Sequence, residues 1–83
     1  MQLIVDQFGT FIGKKENRFT IKNKGKVVEY SADMVSQILV TSASGISAGA
    51  IKLAMDKDID IVYVNYFGQP YARIYPCKLY LTT

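Results

Sequence analysis

The stretch ILVTSASGISAGAIKLAMDKDIDIVYVNYFGQPYARIYP, residues 38–76, decides the fold. Ile38-Leu39-Val40 is a continuous apolar run, which reads as a strand covered on both faces. Ser42-Ala43-Ser44-Gly45 then opens a helix, with Ser44 the best-placed cap. From Ile46 to about Lys57, Ser47, Ala50, Ile51, Ala54 and Met55 recur at helical spacing and form a narrow small-residue stripe suited to lying close on a sheet. Ile61-Val62-Tyr63-Val64 is a second continuous strand. A strand, a helix of about three turns and another buried strand predict a right-handed crossover between parallel strands. Gly68 then turns the chain back through Tyr71-Ala72-Arg73-Ile74-Tyr75 as a hairpin.

Upstream, the pattern changes to short alternating strands. Leu3-Ile4-Val5 is followed by a turn at Gln7-Phe8-Gly9-Thr10, where Gly9 can take a positive φ that Phe8 could not. Phe19 and Ile21 alternate with Thr20 and Lys22 at the period of a half-buried strand, and Asn23-Lys24-Gly25-Lys26 is a hairpin turn into Val27-Val28-Glu29-Tyr30. The first thirty residues therefore predict a β-meander. Ser31 caps one short helical turn, with Asp33 placed where the helix dipole favours an acid. The fold class is α+β: a β-rich meander, one β-α-β crossover with a single principal helix at about 46–57, and a terminal hairpin.

At 83 residues the chain makes one domain with a small core, one that buries only roughly 60–65% of the unfolded surface. Its 49% hydrophobic residues and 2 prolines are those of a folded protein. No run approaches the ~20 apolar residues of a membrane span, and the start lacks the features of a signal peptide, so a cytoplasmic, soluble protein is expected. Histidine is absent and Cys77 is the only cysteine, which removes histidine-based nucleophile pairs, an internal disulfide and a tetrahedral zinc site. Asp56, Asp58 and Asp60 lie two apart across a helix end, so they read as solvated turn acids. Ser42 to Ser47 has neither the lysine and glycine spacing of a P-loop nor three glycines of a dinucleotide fingerprint; capping with close packing explains it better than anion binding.

The net charge of +3 is unevenly placed: residues 1–26 carry six bases against two acids, residues 27–83 four bases against five acids. Lys14, Lys15, Arg18 and Lys22 in the first third fit either a solubilising strand face or a salt-sensitive contact with a phosphate backbone. Tyr63, Tyr66, Tyr71, Tyr75 and Tyr80 crowd the last third with Phe67. About half of them are expected in the core, and Tyr71, Arg73 and Tyr75 on one strand face offer either a dimer surface or a stacking platform for bases.

The ordered combination of a meander with Phe8-Gly9, the turn Ser31 to Val35, Ile38-Leu39-Val40, Gly45-Ile46-Ser47 opening a helix, Asp60-Ile61-Val62-Tyr63-Val64, then Phe67-Gly68-Gln69-Pro70 and Arg73 resembles the N-terminal β-domain of the CRISPR-associated integrase that acquires new spacers, in its archaeal form. The resemblance covers residues 1 to about 76. It implies an N-terminal homodimerisation domain over residues 1–76, with 77–83 beginning a linker or tail, and a role in antiviral defence. Metal-dependent DNA cutting and joining belong to a separate helical domain in that family. Its catalytic Glu, His and Asp have no counterpart here, so the resemblance implies no cofactor in this chain and a divalent metal, Mg or Mn, only for that other domain. Phe8 matches an aromatic position that in relatives lies against the end of a DNA duplex, with a core-edge phenylalanine as the alternative. Lys14, Lys15, Arg18 and Lys22 are the accompanying candidates for backbone contact. Other subunits of the acquisition complex are implied partners. The rival readings are a free-standing single-strand nucleic-acid-binding β module and a structural homodimerising adaptor.

Overall fold

The structure, a computed structural model, describes residues 1–41 and 43–77. Eight strands among these residues form two four-stranded sheets that share one core. The strands are β1 (Gln2–Val5), β2 (Phe11–Lys15), β3 (Arg18–Asn23), β4 (Lys26–Ser31), β5 (Gln37–Val40), β6 (Gly45–Ile46), β7 (Asp60–Val64) and β8 (Pro70–Ile74). One sheet has the order β1-β5-β7-β8 and the other β4-β3-β2-β6.

The predicted crossover is present. β5 and β7 are adjacent and parallel, with Ile38 opposite Ile61 and Val40 opposite Tyr63. Between them runs helix α1 (Ala48–Asp56). It starts two residues later than the sequence pattern suggests, because Gly45 and Ile46 are taken up as β6, parallel to Phe11 and Ile12 of β2. Ser47, rather than Ser44, is therefore the cap, accepting a hydrogen bond from the Ala50 amide at 3.0 Å, a contact worth about 1 kcal/mol. The helix ends in a Schellman motif: Ile59 N–H bonds the Ala54 carbonyl at 2.8 Å and Asp58 N–H that of Met55 at 3.2 Å, with Asp58 at φ 56° where glycine is usual. The three aspartates around this end do not converge. Asp56 pairs with Lys52 and Asp60 with Arg73, and Asp58 lies exposed.

The meander holds for β2, β3 and β4, which pair antiparallel in sequence order. β1 is the exception: it lies parallel to β5 in the other sheet, with Leu3 opposite Ile38. The reason lies in the side chains. Leu3 and Val5 are buried beside Ile38 and Val40, so β1 completes the parallel sheet's inner face. The turn Gln7–Thr10 thus passes the chain from one sheet to the other.

Leu3, Val5, Ile38, Val40 and Ile61 from one sheet meet Ile12 and Phe19 from the other, with Ala50, Leu53 and Ala54 of α1 and Ile59 completing the core. Ala50 and Ala54 are fully enclosed and let α1 approach closely. On the opposite face of the parallel sheet Leu39 and Val62 are only half-buried and Ile4 is exposed. The continuous apolar runs are therefore covered on one face, not both.

Candidate nucleic-acid interface

Phe8 sits on the turn that joins the two sheets, and its ring is 80% exposed. It is not a core-edge phenylalanine. Its neighbour Gly9 has φ 78°, as the sequence requires of that turn. What distinguishes the turn is its bracing. Asn23, at the end of β3, donates its amide hydrogens to the Phe8 carbonyl at 3.1 Å and to Thr10 Oγ1 at 2.9 Å. Thr10, buried, donates in turn to the Gln7 carbonyl at 2.7 Å. From the other side, Gly9 N–H bonds the Ala43 carbonyl at 3.0 Å and Gly45 N–H that of Thr10 at 2.9 Å. Segments 15 and 34 residues away thus hold the backbone that carries the ring.

Beside this turn lies a cleft of about 660 Å³, lined by Gln7, Phe8, Ile21, Asn23, Lys24, Lys26 and Val28. Ile21 and Val28 face each other across β3 and β4 and make an apolar floor. The far wall is the two-residue hairpin at Lys24 and Gly25, whose φ values of 50° and 78° are the pair of positive angles that a type I′ turn demands. A smaller hollow of about 180 Å³ continues the cleft toward β1, sharing Gln7, Ile21 and Val28 and adding Asp6 at its border.

The structure divides the basic residues singled out from the sequence. Lys22 pairs with Phe11 at the Phe8 end of the antiparallel sheet, on the face opposite the cleft. Lys15 and Arg18 face each other at the other end of the same strands, four residues or ~13 Å away along the strand, and Arg18 is held at 3.1 Å by Glu29. Lys14 lies on the opposite face from Lys15, its aliphatic stem against the first turn of α1 at Gly49. The cations near Phe8 are instead Lys24 and Lys26. Asn23, Lys24 and Lys26 are legible in the sequence as a hairpin turn but not as neighbours of Phe8, although a signal for that existed. Successive hairpins of a meander turn at alternate ends, which puts residues 23–26 beside residues 7–10 and residues 15–18 away from both.

The aromatic residues near the C-terminal end of the described chain are mostly at the surface rather than half in the core. Tyr66 is 97% exposed, and Phe67, Tyr71 and Tyr75 are also exposed. Tyr63 is half-buried with its ring 6.3 Å from that of Tyr71, and burial together with that neighbour pushes its phenol above the usual value. The Arg73 guanidinium lies 4.9 Å over the Tyr75 ring while also bonding Asp60 at 2.6 Å. Tyr80 and residues 78–83 lie outside the described residues.

Among the described residues no three His, Cys, Asp or Glu side chains come together as a metal site, and no helix is long and apolar enough to cross a membrane.

Residues 3–82 match the family model described as CRISPR associated protein Cas1. The chain is 31% identical over 75 residues to CRISPR-associated endonuclease Cas1 1 of Archaeoglobus fulgidus, covering 89% of this chain and 22% of that protein. It is 31% identical over 74 residues to Cas1 2 of Saccharolobus solfataricus, covering 89% and 24%. It thus spans about a quarter of the length of these relatives. The fold is shared with a CAS1 protein from Thermotoga maritima, at TM-score 0.80 and 17% identity over 92% of this chain and 24% of that one. It is shared also with a Cas6-RT-Cas1–Cas2 complex, at 0.84 and 10% over 94% and 24%, and with a TtCas1–DNA complex, at 0.76 and 9% over 88% and 28%. By fold and by sequence, this chain belongs to the Cas1 family of CRISPR-associated proteins.

Proposed function

We propose that this chain is the N-terminal dimerisation and DNA-positioning domain of a CRISPR-associated integrase and endonuclease that works in spacer acquisition, in the cytoplasm, as part of antiviral defence. It carries no nuclease site of its own. Cutting and joining of DNA, with Mg or Mn, belong on this reading to the part of the relatives' length that this chain does not span. The observation that carries the DNA-positioning role is the Phe8 turn: an exposed ring on a backbone fixed from two distant segments, beside Lys24 and Lys26. A ring held in this way can stack on the terminal base pair of a duplex, since every base offers a π-face, while lysines supply a sequence-blind backbone attraction. Lys22 reaches the same end from the other face. Lys14, Lys15 and Arg18 serve on this reading as more distant backbone contacts. The DNA and Cas2 found with structural neighbours support DNA and a further Cas subunit as partners.

Homodimerisation is assigned to the hairpin of β7 and β8, where Tyr66, Phe67, Tyr71 and Tyr75 stand exposed together. Large aromatic side chains of this kind anchor protein interfaces.

The test is a binding isotherm for blunt duplex DNA at two salt concentrations, with sedimentation of the free protein. Phe8→Ala should weaken binding to duplex ends by about tenfold and leave the salt slope unchanged, while Lys24→Ala should reduce the slope by about one. Equal binding of ends and closed circles by the unaltered protein defeats the end-contact reading. A monomer at all concentrations defeats the dimer.

A further inference from the structure

We propose that the outer face of the antiparallel sheet, turned away from the core, carries a single strand of DNA, with one base stacked on Phe11 and the backbone on Lys22, Lys15 and Arg18. This rests on the reading of these three cations as DNA contacts and adds the kind of strand they hold; it needs nothing from Phe8. The face follows from the register. Phe11 stands opposite Lys22, Gly13 opposite Thr20 and Lys15 opposite Arg18. Side chains alternate along a strand, so all of these share one face, while Ile12, Phe19 and Ile21 pack into the core from the other.

Two glycines set the ring down on this face. A Cβ at Gly45 of β6 would stand 3.0 Å from Phe11 Cδ1, and one at Gly13 would stand 3.8 Å from Phe11 Cε2, so opposite edges of the ring reach the two places where side chains are missing. The ring lies across β2 and β6 and stays 45% exposed. A side chain at either position would lift it off the sheet. Beyond the ring the middle of the face is low, since Gly13 has no side chain and Thr20 is buried beneath its neighbours. Cations stand at both ends of that low middle. Lys22 is beside the ring, and Lys15 with Arg18 is ~13 Å away along the strands. Glu29, opposite Thr20, is bonded to Arg18 at 3.1 Å, and Glu16 lies in the turn beyond the strands. A flat base on the ring with its phosphates passing from Lys22 toward Lys15 fits this arrangement. A duplex does not, because its bases are stacked on one another and hidden from a sheet. RNA gains nothing over DNA, since the Thr20 hydroxyl is buried and the Glu29 carboxylate is taken, which leaves a 2′-hydroxyl no acceptor there.

The experiment follows fluorescence anisotropy of labelled oligo(dT), oligo(U) and blunt duplex DNA at two salt concentrations. The unaltered chain should bind oligo(dT) at least as tightly as oligo(U). Phe11→Ala should weaken oligo(dT) binding about tenfold, the loss of one stacked base, and Phe11→Tyr should keep it. Lys15→Ala and Lys22→Ala, both at exposed positions, should each reduce the salt slope for oligo(dT) by about 0.7, which keeps the test decisive if the loss of Phe11 disturbs folding. Lys52→Ala, exposed on α1, should leave affinity and slope alone. A 5-iododeoxyuridine placed within the oligo(dT) should crosslink to Phe11 on irradiation. Oligo(dT) binding indifferent to Phe11→Ala and to both lysine variants overturns the proposal; if those lysines still set the salt slope for the blunt duplex, their reading as DNA contacts stands. A duplex slope that is equally indifferent overturns that reading as well. A crosslink to Phe8 in place of Phe11, tighter binding of oligo(U), or displacement of oligo(dT) by polyglutamate at equal charge concentration each overturns the proposal, the last by assigning the face to acidic protein segments.

Discussion

Two turns in this molecule each present an exposed phenylalanine directly before a glycine at φ 78°, at Phe8-Gly9 and at Phe67-Gly68. They differ in what holds them. The second is bonded within itself: Asn65 Oδ1 accepts from Phe67 N–H at 2.9 Å and Gln69 N–H at 3.0 Å, and Asn65 N–H reaches the Gln69 carbonyl at 2.8 Å. The first is bonded to Asn23 and Ala43, on other elements. A turn closed by its own residues can shift as a unit on its hairpin. A turn fixed by distant segments keeps its place only while the fold is intact, and it cannot move without breaking bonds elsewhere. The same pair of residue types thus yields an adaptable aromatic surface at one site and a preset one at the other. That suits a protein interface to the second turn and a rigid ligand such as a duplex end to the first.

The largest effect should come from the core beneath the preset turn. Phe19 is fully buried at the centre of the antiparallel sheet, and Phe19→Ala should cost about 3–5 kcal/mol in denaturant unfolding, a large part of the ~5–15 kcal/mol of a typical domain. Hydrogen exchange then separates the turns. The Gly9 amide should lose most of its protection along with the sheet, whereas the Phe67 and Gln69 amides, protected only by Asn65, should change little. Equal loss at both turns would remove the contrast.

Next come the two asparagines. Asn23→Ala takes the donor away from the Phe8 carbonyl and from the accepting side of the buried Thr10 hydroxyl, which keeps its bond to Gln7, and should destabilise the whole protein by about 1–3 kcal/mol. Asn65→Ala frees groups that water can reach and should cost about 0.5–1 kcal/mol. A global cost from Asn65→Ala as large as that from Asn23→Ala, measured by the same unfolding curves, would show that the exposed hairpin is tied to the fold by more than its own bonds.

Smaller again are the glycines. A Cβ at Gly9 or at Gly68 meets nothing within 4 Å, so only the backbone penalty of about 1–2 kcal/mol for a left-handed residue remains. Gly9→Ala should carry all of it, because the brace forbids relaxation. Gly68→Ala should carry less, as the hairpin tip can change its turn. Gly13 lies outside this pair: a Cβ there would stand 2.7 Å from Thr20 Oγ1, so its cost is steric.

Much of this contrast was hidden in the sequence, for a physical reason. The crossover was legible because periodicity is local: Ile38-Leu39-Val40, the stripe Ala50 and Ala54, and Ile61-Val62 each state their own element. Phe8 was legible as a turn residue because Gly9 follows it. The placement of β1 was not legible, since a short apolar run such as Leu3-Ile4-Val5 can complete either sheet and the choice depends on Ile38 and Val40, more than thirty residues away. The start of α1 was misplaced for the same reason: Gly45 and Ile46 are claimed by Phe11 and Ile12. The cleft depended on both. Lys24 and Lys26 become neighbours of Phe8 only once β1 hands the chain to β2 at that end of the sheet. Lys14 and Lys15, adjacent in sequence, part to opposite faces because a strand alternates.

Distance in sequence alone does not make a brace, and the least effect should show why. Asp33 bonds Lys57, 24 residues away, at 3.1 Å, and that ammonium, with the Asn17 amide, holds the carboxyl below its ordinary value of 3.8. A carboxyl lowered in this way favours the folded state when it is charged. Its contribution is therefore present above about pH 4 and disappears as the pH falls through the lower, folded value. The pair stands in water, where screening leaves little of it. Lys57→Ala should bring the Asp33 titration, followed by carboxyl NMR, up toward 3.8 and flatten the acid limb of the stability curve, yet leave the midpoint at pH 7 nearly unchanged. A clear loss at pH 7 would mean that exposed long-range bonds brace this fold as well as the half-buried Asn23 does, and the preset character of the Phe8 turn would then need another cause than the burial of its bonds.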